Sequence, residues 1–329
     1  MRLWRWQAHF GTPTLAFLLT YNQAISASLR YFQEKKNPVS LPWAILPASH
    51  FVTDTANTVL VNPHAIEQVI LPMEEKTGHF IETHNPTGGF TTTPADPISQ
   101  AFIQYASTLI DSNSCILDIG AGFGAATLPV CIPGVTVFCN DIESHNLAVI
   151  HNRYKKKFPQ AKESMLGDFP ELIFVPGNFP DELTALPKKS FAAILICRVL
   201  HFFTGNKIQR SLQQLGNLLQ PGGKLFVVCE TPYLKNWQRF IPEYEARVQM
   251  HQEWPGEITM PAQYESSGRS AKLPTFVHWI TKEILERTLH QGQWDISHLA
   301  YIDRQHQFPE DLLLDGRESI GAIATREHP

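Results

Sequence analysis

The sequence predicts an α/β fold, a mostly parallel sheet with helices on both faces. Three observations carry the prediction. Five short runs are almost wholly apolar: "CILDI" (115–119), "VTVFCN" (135–140), "LIFVPG" (172–177), "FAAILIC" (191–197) and "GKLFVVC" (223–229). Segments with apolar residues at helical spacing separate several of them. The first run ends in a glycine-rich turn, "GAGFGA" (120–125). Strands that are apolar on both sides and alternate with helices build a parallel sheet buried on both faces.

Residues 1–94 are rich in Pro, Asn and Thr and are expected to form an N-terminal cap on a main domain over 95–329. Arg2 and Arg5 precede an apolar patch, as in a secretory leader. However, "TLAFLLT" is short for a leader's apolar core, and Trp4, Trp6, His9 and Pro13 come before it. A cytoplasmic location is therefore expected.

Asp96 is placed to cap a helix whose first turn holds Pro97. Ile98, Phe102, Tyr105 and Leu109 recur at helical spacing, so the helix is expected over 97–110. The first strand and the glycine turn follow. They lead into a helix that Pro129, lacking an N–H, is expected to end or kink early. After the second strand, Ser144 is a candidate cap for a helix carrying Leu147, Ile150 and Tyr154. Ile208, Leu212, Leu215 and Leu219 mark another helix, joined to the fifth strand by a Pro-Gly-Gly turn. Residues 231–277 break the rhythm and are expected to be an insertion, a helix followed by a loop. "TKEILERTLHQ" (281–291) restores the helical period. "WDISHLAYI" (294–302) and "SIGAIAT" (319–325) are expected to pair as an antiparallel hairpin at the sheet edge.

The chain's 329 residues carry a formal net charge of −4, so no global field draws in a polyanion and nucleic acid is not expected as a partner. No stretch is long and apolar enough to span a bilayer, so no membrane partner is expected. Cys115, Cys131, Cys139, Cys197 and Cys229 have no zinc-ligand spacing and are expected to be reduced core residues, with no metal site.

A strand that turns into Gly120-x-Gly122-x-Gly124 lets backbone approach a ligand where side chains would block it. Asp141 ends the next strand, 21 residues after Gly120, where a carboxylate can accept both hydroxyls of a ribose. An adenosine-containing cofactor follows. The same loop also fits the dinucleotide fingerprint G-x-G-x-x-A, and the acid belongs to that fingerprint too. Three other features discriminate. Asp118 stands where the dinucleotide pattern is apolar, "LLQPGGKLFVV" (218–228) places a Pro-Gly-Gly turn before the fifth strand, and "FAAILICRVLHFF" (191–203) follows a strand with Arg198 and then Leu-His-Phe.

With these motifs the chain resembles the class I S-adenosylmethionine-dependent methyltransferases. "LDIGAGFG", "NDIE", "GNF", "SFAAILICRVLHFF" and "LQPGGKLFVV" match their motifs in order; the likeness covers 97–230, and 281–326 by topology. The resemblance implies a seven-stranded sheet with the last strand antiparallel, and S-adenosylmethionine as cofactor. It implies that Gly120, Ala121, Gly122 and Gly124 lie along the methionine part. Asp118 would hold the loop or meet the cofactor ammonium through water. Asp141 would bind the ribose, Ile142 pack on the adenine, Asn178 face its amino group and Phe179 lie beside the ring. The backbone around Cys197 or Arg198 would accept from the ammonium.

Methyl transfer is expected to act on a small or medium-sized organic acceptor by in-line displacement. A protein or RNA acceptor is the second reading, lowered because "CRVL" replaces the Asn-Pro-Pro-Tyr-type tetrapeptide of amino-group methylases. A non-catalytic interaction protein with this fold is the third. Phe90 and Thr91, beside the Gly88-Gly89 hinge, are lid candidates. Tyr233, Trp237, Tyr244 and His278 are substrate candidates from the insertion and its exit. Arg198, His201 and Tyr244 are the candidates for catalysis, although His201 reads more simply as a buried core histidine.

Overall fold

A computed structural model describes residues 76–77, 80–85, 88–92, 95–110, 112–159, 171–184 and 186–326. The possible leader and most of the expected cap lie outside them. What is described of the cap is a small antiparallel sheet of β1 (Lys76–Thr77), β2 (Phe80–Glu82) and β3 (Phe90–Thr92).

The main sheet has seven strands: β4 (Ser114–Ile119), β5 (Val135–Asp141), β6 (Glu171–Pro176), β7 (Phe191–Cys197), β8 (Leu219–Glu230), β11 (Trp294–Ile302) and β12 (Ser319–Arg326). Their spatial order is β11-β12-β8-β7-β4-β5-β6, with β4 through β8 parallel and β12 antiparallel to both neighbours. The expected fold class and edge hairpin are both present. The chain runs outward from β4 to β6, then returns to place β7 on the other side of β4. The ends of β4 and β7 therefore bound a topological switch point, where loops diverge and leave a crevice.

Alternation within each strand explains the burial. Leu117 and Ile119 enter one core cluster with Leu212, Leu215 and Leu285, while Ile116 enters the other with Ile98, Phe102 and Ile150. The covering helices are α1 (Pro97–Ser107) and α2 (Ser144–Lys157) on one face, and α3 (Gly205–Leu218) and α5 (Lys282–Gln291) on the other. Asp96 caps α1 as expected, accepting from Ile98 N and Ser99 N at 3.0 Å. Ser144 instead starts α2, and Glu143 is its cap, accepting from His145 N at 3.0 Å.

The helix expected after the glycine loop does not form; residues 122–130 are a succession of turns. Gly122 and Gly124 adopt φ of +55° and +79°, left-handed values that interrupt a right-handed helix at its start. Pro129 then supplies no donor. The loop's carbonyls find partners elsewhere. Arg153 Nη1 donates to Phe123 O at 2.6 Å, and Lys157 Nζ donates to Leu128 O at 2.7 Å. Arg153 and Lys157, on the basic last turns of α2, thus clamp this loop.

The Pro-Gly-Gly turn is a bulge inside β8: Leu219 pairs with Phe191, but Lys224 pairs with Ala193. In the insertion, α4 (Ile241–Gln249) is followed by loop and by a two-stranded ribbon of β9 (Glu257–Ile258) and β10 (Val277–His278). A third core cluster of Trp237, Phe240, Tyr244, Trp279 and Phe308 joins this insertion to the domain.

Candidate cofactor and acceptor site

A cavity of about 120 Å³ lies at the switch point, lined by Asp118, Gly120, Ala121 and Gly122 after β4 and by Cys197, Arg198 and His201 after β7. Residues 83–85 and 88–92 lie across it as a strap, with Thr83, Asn85, Phe90 and Thr91 in the lining. Backbone approach is tight on both sides of the loop. A Cβ on Gly120 would lie 2.3 Å from Val199 Cγ2, and one on Gly122 would lie 2.8 Å from Thr91 Cγ2. Gly124 does a different job: its Cβ position faces Ile150 Cγ1 at 3.0 Å, so it seats the loop against α2.

Two buried carboxylates hold this loop. Asp118 accepts from Thr127 Oγ1 at 2.6 Å. Asp141 accepts from Gly122 N at 2.8 Å through Oδ2, and from Glu143 N at 2.9 Å and Asn146 Nδ2 at 3.1 Å through Oδ1. Asn146 Oδ1 in turn accepts from His84 N at 3.1 Å, which ties the strap to Asp141. Burial pushes Asp118 up to about 7, with the Thr127 hydroxyl opposing and the Asp141 charge adding. Burial likewise pushes Asp141 up to about 6 against the pull of its three donors. A cation or hydroxyl donors brought beside these carboxylates would favour their ionised forms.

The remaining predicted residues distribute as follows. Ile142 is 60% exposed, a bare apolar surface beside Asp141. Asn178 donates its backbone N–H to Glu182 Oε2 at 2.7 Å, and Phe179 is buried in the core. Gly124, Asp141, Ile142, Asn178 and Phe179 do not line the cavity itself. His201 is buried, near-parallel to Trp279 at 5.8 Å, and burial lowers it to about 3, so it is neutral and a weak base.

The insertion's substrate candidates fall outside the cavity lining. Tyr244 is buried, its hydroxyl 2.7 Å from Thr281 Oγ1. Trp237 packs edge-on to Trp279 at 4.7 Å. His278 donates from Nδ1 to Phe203 O at 3.0 Å, and burial lowers it to about 4. Tyr233 lies under the Arg317 guanidinium at 3.7 Å.

Sequence reasoning missed Thr83, Asn85, Asp96 and Ser99 in the lining, and Asn146 and Glu230 behind it. The cap assignment of Asp96 was the one signal that pointed there. The strap residues carry no motif; only the fold brings them to the loop.

Comparison with known proteins agrees with this architecture. Residues 117–227 match the family described as "Methyltransferase domain". The demethylmenaquinone methyltransferase of Tropheryma whipplei is 36% identical over 134 residues, covering 38% of this chain and 48% of that protein. The tRNA N(3)-cytidine methyltransferase METTL2 of Danio rerio is 29% identical over 117 residues, covering 34% of this chain and 30% of that protein. The chain thus spans about half the length, or less, of the curated relatives it matches. Among solved structures, a SAM-dependent methyltransferase from Methanosarcina mazei aligns with a TM-score of 0.46 at 17% identity, covering 68% of this chain and 98% of that one. Magnesium protoporphyrin IX methyltransferase from Synechocystis, with bound SAH, aligns with a TM-score of 0.42 at 11% identity, covering 70% and 81%. Residues 117–227 thus match a methyltransferase domain, and the motif order and strand topology are those of the class I, S-adenosylmethionine-dependent type.

Proposed function

We propose that the protein binds S-adenosylmethionine against the glycine loop and the neighbouring Asp141 and transfers its methyl group to a small or medium-sized organic acceptor. One observation carries the reading. Two glycines whose Cβ positions are blocked sit at the switch point, and the carboxylate of the neighbouring strand is bonded to the N–H of one of them.

The residues present fit such a cofactor. Thr83 Oγ1, Asn85 Oδ1 and His201 Nδ1 belong to cavity-lining residues, are buried, and have no hydrogen-bond partner among the described residues. Unpaired buried polar atoms are costly, and a polar ligand relieves them. Asp141 would take the ribose hydroxyls, Ile142 would cover one face of the adenine, and Asp118 would face the ammonium side. When bound, the cofactor supplies a methyl group on a positively charged sulfur, activated for in-line displacement at carbon. The chain's own contribution is alignment and exclusion of water. The cavity of about 120 Å³ is well below the ~300 Å³ at which ligand pockets begin, so the strap of 83–85 and 88–92 shifts away from Gly122 to admit the cofactor.

The narrow cavity, covered in part by the strap, supports a small acceptor over a polymer, which would need a long open groove. One of the relatives named above is a demethylmenaquinone methyltransferase. The test is thermal: S-adenosylhomocysteine should raise the melting temperature of the full chain and NAD should not. A response to NAD alone would replace this reading with an oxidoreductase.

A further inference from the structure

Arg198 is held in place more completely than packing requires. It follows β7 with φ of +60°, a left-handed conformation that non-glycine residues rarely adopt. Non-glycine residues in this region cluster at functional sites, where surrounding contacts over-determine them. Here the contacts are explicit. Its backbone N donates to Val228 O at 2.8 Å. Nε donates to Glu230 Oε1 at 2.5 Å, and Nη1 donates to Phe90 O of the strap at 2.8 Å. Glu230 Oε2 is fixed by Ser319 Oγ at 2.9 Å, and Ser319 Oγ accepts from Arg304 Nε at 2.8 Å. The guanidinium carbon stands 4.2 Å from the Phe90 ring centroid and 5.0 Å from that of Phe308.

This arrangement leaves one edge. Nη2 makes no hydrogen bond among the described residues, and the side chain lines the cavity and retains 17% of its exposure. The acids in the same lining are already engaged. Asp96 caps α1 and accepts from Ser99 Oγ at 2.7 Å, and Asp118 holds Thr127. His201 is the remaining imidazole there, and it is neutral with little affinity for a proton. The lining therefore offers a fixed cation without a free carboxylate or an effective general base beside it.

We propose that Arg198 Nη2 selects the acceptor, binding a small organic acid of the phenol, enol or carboxylic class as its anion. The inference rests on the methyl-transfer reading and deepens it. Glu230 already balances the charge on Nε, and an anion held on Nη2 in the same cavity is attracted by the sulfonium expected against Gly120 and Gly122. It also removes the need for a base. The electron pair of the anion, at oxygen or at carbon conjugated with it, forms the bond to the methyl carbon. The carbon–sulfur bond breaks with its pair left on sulfur, both charges cancel, and no proton has to leave.

The test uses the full chain, saturated with S-adenosylhomocysteine, titrated with benzoate and with the isosteric neutral benzamide. Benzoate should bind the wild-type complex at least ten-fold more tightly, as a charge-assisted hydrogen bond requires. Arg198→Lys should keep part of that preference, and Arg198→Gln should abolish it, each compared at saturating S-adenosylhomocysteine. The wild-type comparison stands even if a variant fails to fold. Equal affinities, no benzoate binding, or a preference that survives in Arg198→Gln would overturn the inference and leave the methyl-transfer reading intact. Absence of S-adenosylhomocysteine binding would overturn both.

Discussion

Replacing Asp141 by Asn separates the two jobs this side chain is given. Asp141 serves three donors: Glu143 N and Asn146 Nδ2 on Oδ1, and Gly122 N on Oδ2. Asparagine has one acceptor oxygen. Placed where Oδ1 stands, it still serves two of these donors and turns its NH2 against the Gly122 N–H. One hydrogen bond is lost and two donors face each other, which costs about 1–3 kcal/mol. Part of that is returned, because burial already opposes the charge of Asp141, pushing it up to about 6. The net change in stability should therefore stay below about 2 kcal/mol, small enough for the variant to fold. The ligand loses more. A ribose diol donating to a carboxylate makes charge-assisted bonds worth roughly 1.5–3 kcal/mol, so affinity for S-adenosylhomocysteine should fall about 10- to 100-fold. Urea denaturation measures the first effect and isothermal titration the second. A folded Asp141→Asn protein that binds S-adenosylhomocysteine within two-fold of wild type would refute the ribose assignment.

Other outcomes follow from the same geometry. Gly120→Ala puts a Cβ 2.3 Å from Val199 Cγ2 at a φ of +71°, and should cost roughly 2–4 kcal/mol in denaturation and abolish S-adenosylhomocysteine binding. Adding Val199→Ala should recover only the steric share, because the backbone strain remains; full recovery would show that φ carries no cost here. Phe102, fully buried between α1 and the sheet, should cost about 3–5 kcal/mol when cut to Ala, read from urea midpoints. Asp118→Asn isolates one proton. The folded-state value of about 7 lies above the ordinary 3.8, so the folded wild type binds the extra proton between those limits. Wild type should therefore lose stability relative to the variant as pH rises from about 4 to about 7, with no further divergence above that. A stability difference that is flat with pH would mean that Asp118 is not held protonated by burial.

The sheet was legible because its strands are buried on both faces and need no partner pattern to declare themselves. "FAAILIC" can hardly be anything else, and β7 spans the same residues. The start of α1 was legible because Asp96 and Pro97 act locally. What failed was local inference overridden by glycine. Residues 122–130 carry helix-forming alanines and a leucine, yet the positive φ of Gly122 and Gly124 prevents a helix from starting. The cap of α2 moved by one residue because Glu143 reaches His145 N, and serine one position later is already inside the helix. At the site, the loop and the two acids could be read because they follow one another closely in sequence. The support for Arg198 could not: Phe90, Glu230, Arg304 and Ser319 are drawn from distant segments and meet only through the sheet. The insertion misled for a related reason. Its aromatic residues resemble a substrate lid in composition, but Trp237 and Tyr244 are spent on docking it to the domain.

The most direct measurement is a crystal structure of the full chain with S-adenosylhomocysteine. The account predicts the nucleoside seated against Gly120 and Gly122, with its ribose hydroxyls on Asp141, its adenine over Ile142 and the strap displaced from Gly122. A protein that crystallises in saturating S-adenosylhomocysteine with Thr83 and Thr91 still packed on Gly122, and no nucleoside beside Asp141, would contradict it.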